Sequence, residues 1–209
     1  MQHDPREVLV EICHLMVERN FTTSTGGNIS ARMPDGTIWI TPSQLNKARV
    51  RIDDLVRVDD RCRVVEGTRK ASTETPFHQA VYRALPQAGA VVHAHPPAST
   101  GFAQAHRAID TRSSAEAYYI LGPEVPLIPY GRSGTAELAE LISRSMRTRF
   151  PAYLLANHGV ITWGDDLWKA YDILDTLEVS AQSLLAAEIL GGPKLIPDEE
   201  LHWLDTAHG

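Results

Sequence analysis

Apolar residues recur along this chain with two different periods, and the switches between the periods divide it into helices and strands. From Asp4 to about Asn20, Val8, Ile12, Leu15 and Met16 fall on one helical face. Asp4-Pro5-Arg6-Glu7 ahead of them supplies an N-cap, a proline suited to the first helical position and a capping glutamate. Residues 28–32 and 37–41 alternate with period two, and Met33-Pro34-Asp35-Gly36 between them has the chemistry of a hairpin turn. A short strand is expected near Leu55 to Val58, a helix from Glu74 to Leu85, and a buried strand over the apolar run Ala88 to Ala94. Pro96 and Pro97 stop that strand and allow a new helix at Ala98. A helix from Thr135 to Met146, strands Ala152 to Ala156 and Val160 to Trp163, and a long helix from about Asp166 to Leu190 follow. Most strands adjacent in sequence can pair antiparallel, so the pattern predicts an α/β (α+β) fold whose largely antiparallel sheet is flanked by helices.

Composition narrows this picture. At 209 residues, 43% hydrophobic and 22% charged, with no internal repeat or linker, the chain suits a single soluble domain over 1–209. A net charge of -6 offers no broad footprint for nucleic acid or an anionic membrane, which leaves a small molecule as the expected partner. The start Met1-Gln2-His3-Asp4-Pro5 has no secretory pattern and no run approaches a membrane span, so the expected location is cytoplasmic. Cys13 and Cys62 are too few and too far apart for a disulfide framework or a metal knuckle. Cys13 falls within a helical pattern as a small core residue, and Cys62 sits in a charged turn. Neither a Gly-x-Ser-x-Gly elbow, a Walker loop nor a dinucleotide fingerprint is present.

The chemistry concentrates in histidines. In Ala90-Val91-Val92-His93-Ala94-His95, strand alternation puts His93 and His95 on one side and Val92 and Ala94 on the other. His158, between Asn157 and Gly159 in a tight connection where both neighbours tolerate unusual dihedrals, can supply a third imidazole. Three imidazoles around a divalent ion leave coordination positions open, as catalytic sites require. Glu74 lies at the start of a predicted helix, where the helix dipole alone also favours an acid.

Gly26-Gly27-Asn28-Ile29-Ser30, Ile40-Thr41-Pro42-Ser43, Ser72-Thr73-Glu74, His93-Ala94-His95 and Asn157-His158-Gly159 occur in the order and spacing of the class II aldolase and adducin superfamily, which the chain resembles over nearly its whole length. Within it, the chain is most similar to the L-fuculose-1-phosphate aldolase-like bacterial aldolases. The resemblance implies a three-layer α/β/α sandwich and a Zn2+ ion, with Mn2+ or Co2+ as substitutes, held by His93, His95 and His158. It implies reversible cleavage of a short ketose 1-phosphate to dihydroxyacetone phosphate and an aldehyde through a metal-stabilised enediolate. Glu74 then coordinates the resting metal or exchanges the proton at the nucleophilic carbon. The phosphate cradle is expected from Gly27 with Asn28, Thr41 with Ser43, and Ser72 with Thr73. Gln44 stands where such aldolases usually carry glycine, so its side chain either crowds a phosphate or meets a different head group. Lys47 and Arg49 are either nearby positive charge for that phosphate or solvated loop cations.

Glu116 is the rival acid/base, by its similarity to a glutamate of the related methylthioribulose 1-phosphate dehydratases; its plain reading is a surface residue on a strand. On that strand Tyr118 and Tyr119 point to opposite faces. His3, His14, His78, His106, His202 and His208 lack paired spacing; His78, one helical turn after Glu74, can orient it or serve in the core or at the surface. Trp39, Trp163, Trp168 and Trp203 are expected in packing roles. The resemblance also implies a homotetramer with sites at subunit boundaries. The aromatic contribution that a neighbouring subunit makes in such aldolases has no counterpart in Gly131-Arg132-Ser133-Gly134 or after Leu204. Alternatives on the same scaffold are a methylthioribulose-phosphate dehydratase, a pentulose-phosphate 4-epimerase or a sugar-acid decarboxylase. A non-enzymatic adducin-like module has no use for converging imidazoles.

Overall fold

A computed structural model describes residues 4–207; the readings of Met1-Gln2-His3 and of His208 lie outside it. Helix α1 (Pro5–Glu18) begins as its sequence dictates. The Asp4 carboxylate accepts the Arg6 backbone N–H at 3.0 Å, and Pro5 occupies the first turn. Its fully buried face is Leu9, Ile12, Cys13 and Met16, with Val8 and Leu15 only partly buried beside it, so the apolar stripe is rotated slightly from the expected one. Each such buried aliphatic side chain contributes about 1.5–3 kcal/mol of transfer free energy.

The strands are β1 (Asn28–Arg32), β2 (Ile38–Ile40), β3 (Val56–Val58), β4 (Val64–Glu66), β5 (Ala90–Ala94), β6 (Ile109–Asp110), β7 (Glu124–Val125), β8 (Leu127–Ile128), β9 (Ala152–Leu155) and β10 (Gly159–Gly164). Interspersed are α2 (Thr75–Ala84), α3 (Pro97–Gln104), α4 (Ala115–Leu121), α5 (Ala136–Ser145), α6 (Leu167–Ile189) and α7 (Asp198–Ala207). Eight strands form one sheet in the order β4-β3-β2-β1-β5-β10-β9-β8, antiparallel except where β8 meets β9; β6 and β7 pair separately. Two registers matter for chemistry: Asn28 lies opposite His93 across β1 and β5, and Ile161 lies opposite His93 across β5 and β10.

Side chains leaving the sheet divide between two cores. Ile29, Val92, Ala94 and Val160 join Leu9 and Ile12 of α1, Phe102 of α3 and Leu174 of α6. On the other face Ile40, Val91 and Ile161 join Phe77 and Val81 of α2 and Ile142 of α5. The result is the expected three-layer α/β/α sandwich around a largely antiparallel sheet.

Three expectations need correction. Glu116, Tyr118 and Tyr119 lie on helix α4, not on a strand. Ser114 caps it by accepting the Ala117 N–H, Ala117 and Leu121 bury one face at i, i+4, and Gly122 ends it at φ 79°. Trp39 and Trp163 are buried, but Trp168 and Trp203 are substantially exposed at 38% and 58%. Strands β4, β6, β7 and β8 have no counterpart in the sequence reading, because two or three residues are too few to display a period, and the ten-residue helix α7 has none either. Among the described residues no helix is long and apolar enough to cross a membrane.

Candidate active site

The centre of the sheet carries the histidines. On β5 His93 points toward α2, where its ring meets Phe77 edge-on at 5.2 Å, while Val92 and Ala94 enter the opposite core. His95 follows the strand end, its backbone N–H donating to the Phe21 carbonyl at 2.8 Å. His158 arrives from the β9–β10 turn, which Asn157 closes at φ 56°. His106 meets the Asn157 carbonyl oxygen Oδ1 at 2.6 Å and steadies that turn. Gly159 does not use a positive φ; it is needed because a Cβ there would overlap the Ala94 carbonyl and the His95 ring. Ring centroids of the three histidines lie 4.7, 4.7 and 5.3 Å apart, and one ring nitrogen from each falls within 4.8 Å of the others.

Their protonation suits a cation. His93 Nδ1 lies 2.8 Å from the Val160 carbonyl, which can only accept, so Nδ1 carries the proton and Nε2 keeps its lone pair. That Nε2 stands 3.0 Å from His95 Nε2. Burial pushes His93 down to about 3, so it is neutral in ordinary buffers.

Glu74, at the N-cap of α2, faces this cluster with both oxygens: Oε2 is 3.4 Å from His93 Nε2 and Oε1 is 3.3 Å from His158 Nε2. Ser133 donates to Oε1 at 2.6 Å and Asn28 Nδ2 donates to Oε2 at 2.7 Å. Burial alone would raise the Glu74 carboxyl, but His93, the two hydrogen bonds and His158 more than offset it and hold it at about 2. The neutral His93 with His95 and His158 beside it, facing an ionised carboxylate, forms a donor set fitted to a divalent cation, and the buried His158 Nδ1, without a hydrogen-bond partner among the described residues, leaves room for adjustment at the third ligand.

A cavity of about 240 Å³ opens in front of these groups, lined by Glu74, His95 and His158 together with Gly27, Asn28, Ser43, Gln44, Lys47, Ser72 and Thr73. The structure therefore brings every residue of the expected phosphate set to one place except Thr41. That hydroxyl is fully buried and accepts the Ile29 N–H at 3.3 Å instead. Gly27, at φ 65°, also lies where a Cβ would stand 2.7 Å from the His93 carbonyl. Gln44 adopts φ 56°, a left-handed conformation that explains why glycine suits this position. Lys47 is 1% exposed; its ammonium donates to the Thr25 and Leu45 carbonyls at 3.3 and 3.2 Å and forms no ion pair among the described residues. Burial lowers its pKa. Arg49 lines a different cleft.

Glu116 is exposed on the first turn of α4, outside the residues that line this cavity. Tyr118 donates to Asp205 of α7 at 3.0 Å. Ser133 escaped the sequence reading, since a serine in a glycine-flanked loop carries no period and its partner is 59 positions away. His78 is fully buried, and its ring meets Asn28 and Ser30 while only its backbone N–H reaches Glu74, at the carbonyl oxygen. Cys13 is a core residue, its thiol pushed by burial to about 12, and Cys62 sits in a turn at φ 61°.

Residues 7–185 match the family described as Class II Aldolase and Adducin N-terminal domain. The chain is 33% identical over 199 residues to the 5-deoxy-D-ribulose 1-phosphate aldolase of Bacillus thuringiensis serovar kurstaki, covering 94% of this chain and 91% of that one. It is 32% identical over 181 residues to the 3-oxo-tetronate 4-phosphate decarboxylase of Haemophilus influenzae, covering 85% of each. A solved L-fuculose 1-phosphate aldolase superposes with a TM-score of 0.89 at 30% identity, covering 98% of this chain and 95% of that one.

Proposed function

The chain belongs to the class II aldolase and adducin family, and on that premise we propose that it is a metal-dependent aldolase that reversibly cleaves a short ketose 1-phosphate into dihydroxyacetone phosphate and an aldehyde. The observation that carries this reading is one cavity lined by His95, His158 and Glu74, with His93 buried directly behind them, together with Lys47 and the turns at Gly27, Ser43 and Ser72. The ligands are His93, His95 and His158, with Glu74 available as a fourth, and zinc is the ion proposed, manganese or cobalt being substitutes. When bound, the ion supplies a Lewis acid for the negative charge that develops as the carbon–carbon bond breaks.

The chain's own groups do the rest. Glu74, ionised and held by Ser133 and Asn28, is poised to accept a proton and return it to the carbon that carries the charge. The Lys47 ammonium forms no ion pair among the described residues, so a phosphate entering the cavity meets an available charge. Gly27 allows the backbone to approach closely. His93 is sealed behind the cavity, which keeps water from that ring. We further read the chain as a four-fold assembly with this cleft at a subunit boundary; light scattering of the native protein should give the mass of four chains.

The test is a panel of ketose 1-phosphates and their unphosphorylated analogues, with zinc-loaded protein and products followed by NMR. Dihydroxyacetone phosphate released from a phosphorylated substrate supports the proposal. Loss of water, inversion or loss of carbon dioxide would replace it with the dehydratase, epimerase or decarboxylase reading, because the products differ: a dehydrated chain of the same carbon count, a stereoisomer, or a chain one carbon shorter.

A further inference from the structure

His78 is buried completely one turn along α2 from Glu74, and every nitrogen on its ring is engaged. Nε2 lies 2.5 Å from Asn28 Oδ1, and Nδ1 lies 2.7 Å from Ser30 Oγ, which in turn is 2.8 Å from the Tyr82 hydroxyl. The directions of these hydrogen bonds follow from one end. Glu74 Oε2 accepts, so the amide nitrogen of Asn28 must face it and the amide oxygen must face His78. The proton of the imidazole therefore sits on Nε2. Nδ1 is then an acceptor, and the Ser30 hydroxyl donates to it. Turning the Asn28 amide over would set its oxygen against the carboxylate and its nitrogen against a ring N–H, two repulsive contacts in place of two hydrogen bonds.

We infer that His78 is a positioning residue: by donating Nε2–H to Asn28 Oδ1 it locks the Asn28 amide with Nδ2 toward Glu74, and so sets how the Glu74 carboxylate meets the histidine cluster. Asn28 is opposite His93 in the sheet register, and Glu74 and His78 share α2, so the relay ties the helix bearing the carboxylate to the strand pair bearing the ligands. Asn28 is thereby committed to Glu74 through one amide hydrogen and to His78 through its oxygen. Only its second amide hydrogen remains for a substrate. The effect on turnover rests on the aldolase reading; the arrangement of protons does not.

Two measurements separate these. In metal-free protein carrying 15N-labelled histidine, NMR should find His78 neutral and protonated at Nε2; an Nδ1–H tautomer or an imidazolium would overturn the inference whatever the enzyme's activity. In zinc-loaded enzyme, His78→Gln keeps an amide N–H near the place of Nε2, whereas His78→Asn keeps only the contact toward Ser30. His78→Asn should lower kcat about tenfold or more, with KM within about twofold, and His78→Gln should stay within about threefold of the parent. Adding His78→Asn to Asn28→Ala should cost nothing further, since the relay is already broken. Equal losses in both His78 variants at unchanged zinc content, or losses that multiply in the double variant, would show a structural role only. A parent enzyme that releases no dihydroxyacetone phosphate would remove the aldolase reading and leave the tautomer measurement to decide the relay.

Discussion

His93 turns its Nδ1–H to the Val160 carbonyl of the neighbouring strand at 2.8 Å, and that one bond aims Nε2 at His95 and Glu74. A sheet carbonyl thus orients the innermost candidate ligand, as metal-binding histidines commonly require. His93→Asn preserves a donor near Nδ1 and removes Nε2. It should fold with a melting temperature close to the parent's, yet bind zinc about a hundredfold more weakly in chelator competition. Unchanged zinc affinity would dismiss the three-histidine site.

Lys47 presents the opposite situation, a buried charge whose hydrogen bonds among the described residues go to backbone carbonyls. Replacing it by Met removes a desolvated cation without leaving a carboxylate stranded, so stability should hold or rise. KM for a phosphorylated substrate should increase about tenfold or more, with little change for an unphosphorylated one. Similar KM changes for both would place Lys47 outside phosphate recognition.

Gln44 occupies a left-handed backbone position on the rim of the same cavity. Gln44→Gly exchanges strain for chain entropy, and the net change in stability should remain within about 1 kcal/mol. Removal of the side chain should lower KM for ketose 1-phosphates. A rise in KM would mean that the Gln44 side chain contributes to binding the head group.

Glu178 acts at a distance from the cavity. Its carboxylate, on α6, accepts the Ala98 and Ser99 N–H groups at 2.9 Å and the Ser99 hydroxyl at 2.8 Å, which fastens the start of α3 just beyond His95. Glu178→Ala leaves those donors buried and unpaired, at a cost of about 3 kcal/mol. Thermal unfolding should shift down by about 6–12 °C, and a shift under 2 °C would show that water replaces the carboxylate.

Acid should weaken the metal-free protein in two stages. Burial keeps His78 and His93 neutral in the fold down to about pH 3, whereas in the unfolded chain each takes up a proton below about 6.5; stability is therefore full above pH 6.5 and declines from there toward 3. Glu74, held at about 2 against an ordinary 4.5, adds a second loss as pH falls below 4.5. Urea titrations should show the slope beginning near pH 6.5 in the parent and shallower by about one proton, 1.4 kcal/mol per pH unit, in His78→Gln. Stability that stays flat from pH 8 to 5 contradicts this.

Long elements were legible because each displays several turns or alternations of its own pattern. Helices α1, α2, α5 and α6 and strands β1, β5, β9 and β10 lie where periodicity and proline place them. Helix α4 was misread as a strand because its seven residues compete with a Tyr-Tyr-Ile run that also suits extended chain. Strand β8 exists only because β9 offers a partner. The site divides in the same way. His93-x-His95 announces itself through strand alternation, whereas Ser133, the Tyr82-Ser30-His78 relay and the burial of Lys47 depend on contacts between distant segments.

The amino-acid sequence by itself determined which imidazoles share a face of β5, where the α2 carboxylate begins its helix, and which turns carry small polar residues, because periodicity and local sterics act over a few neighbours. The tertiary structure decided which of those groups meet. It set His158 against His93, gave Asn28 to Glu74 and not to open solvent, withdrew Thr41 into the sheet and left Glu116 outside the cavity. Hydrogen bonds and burial between segments far apart in sequence exist only once the sheet has brought its strands into register.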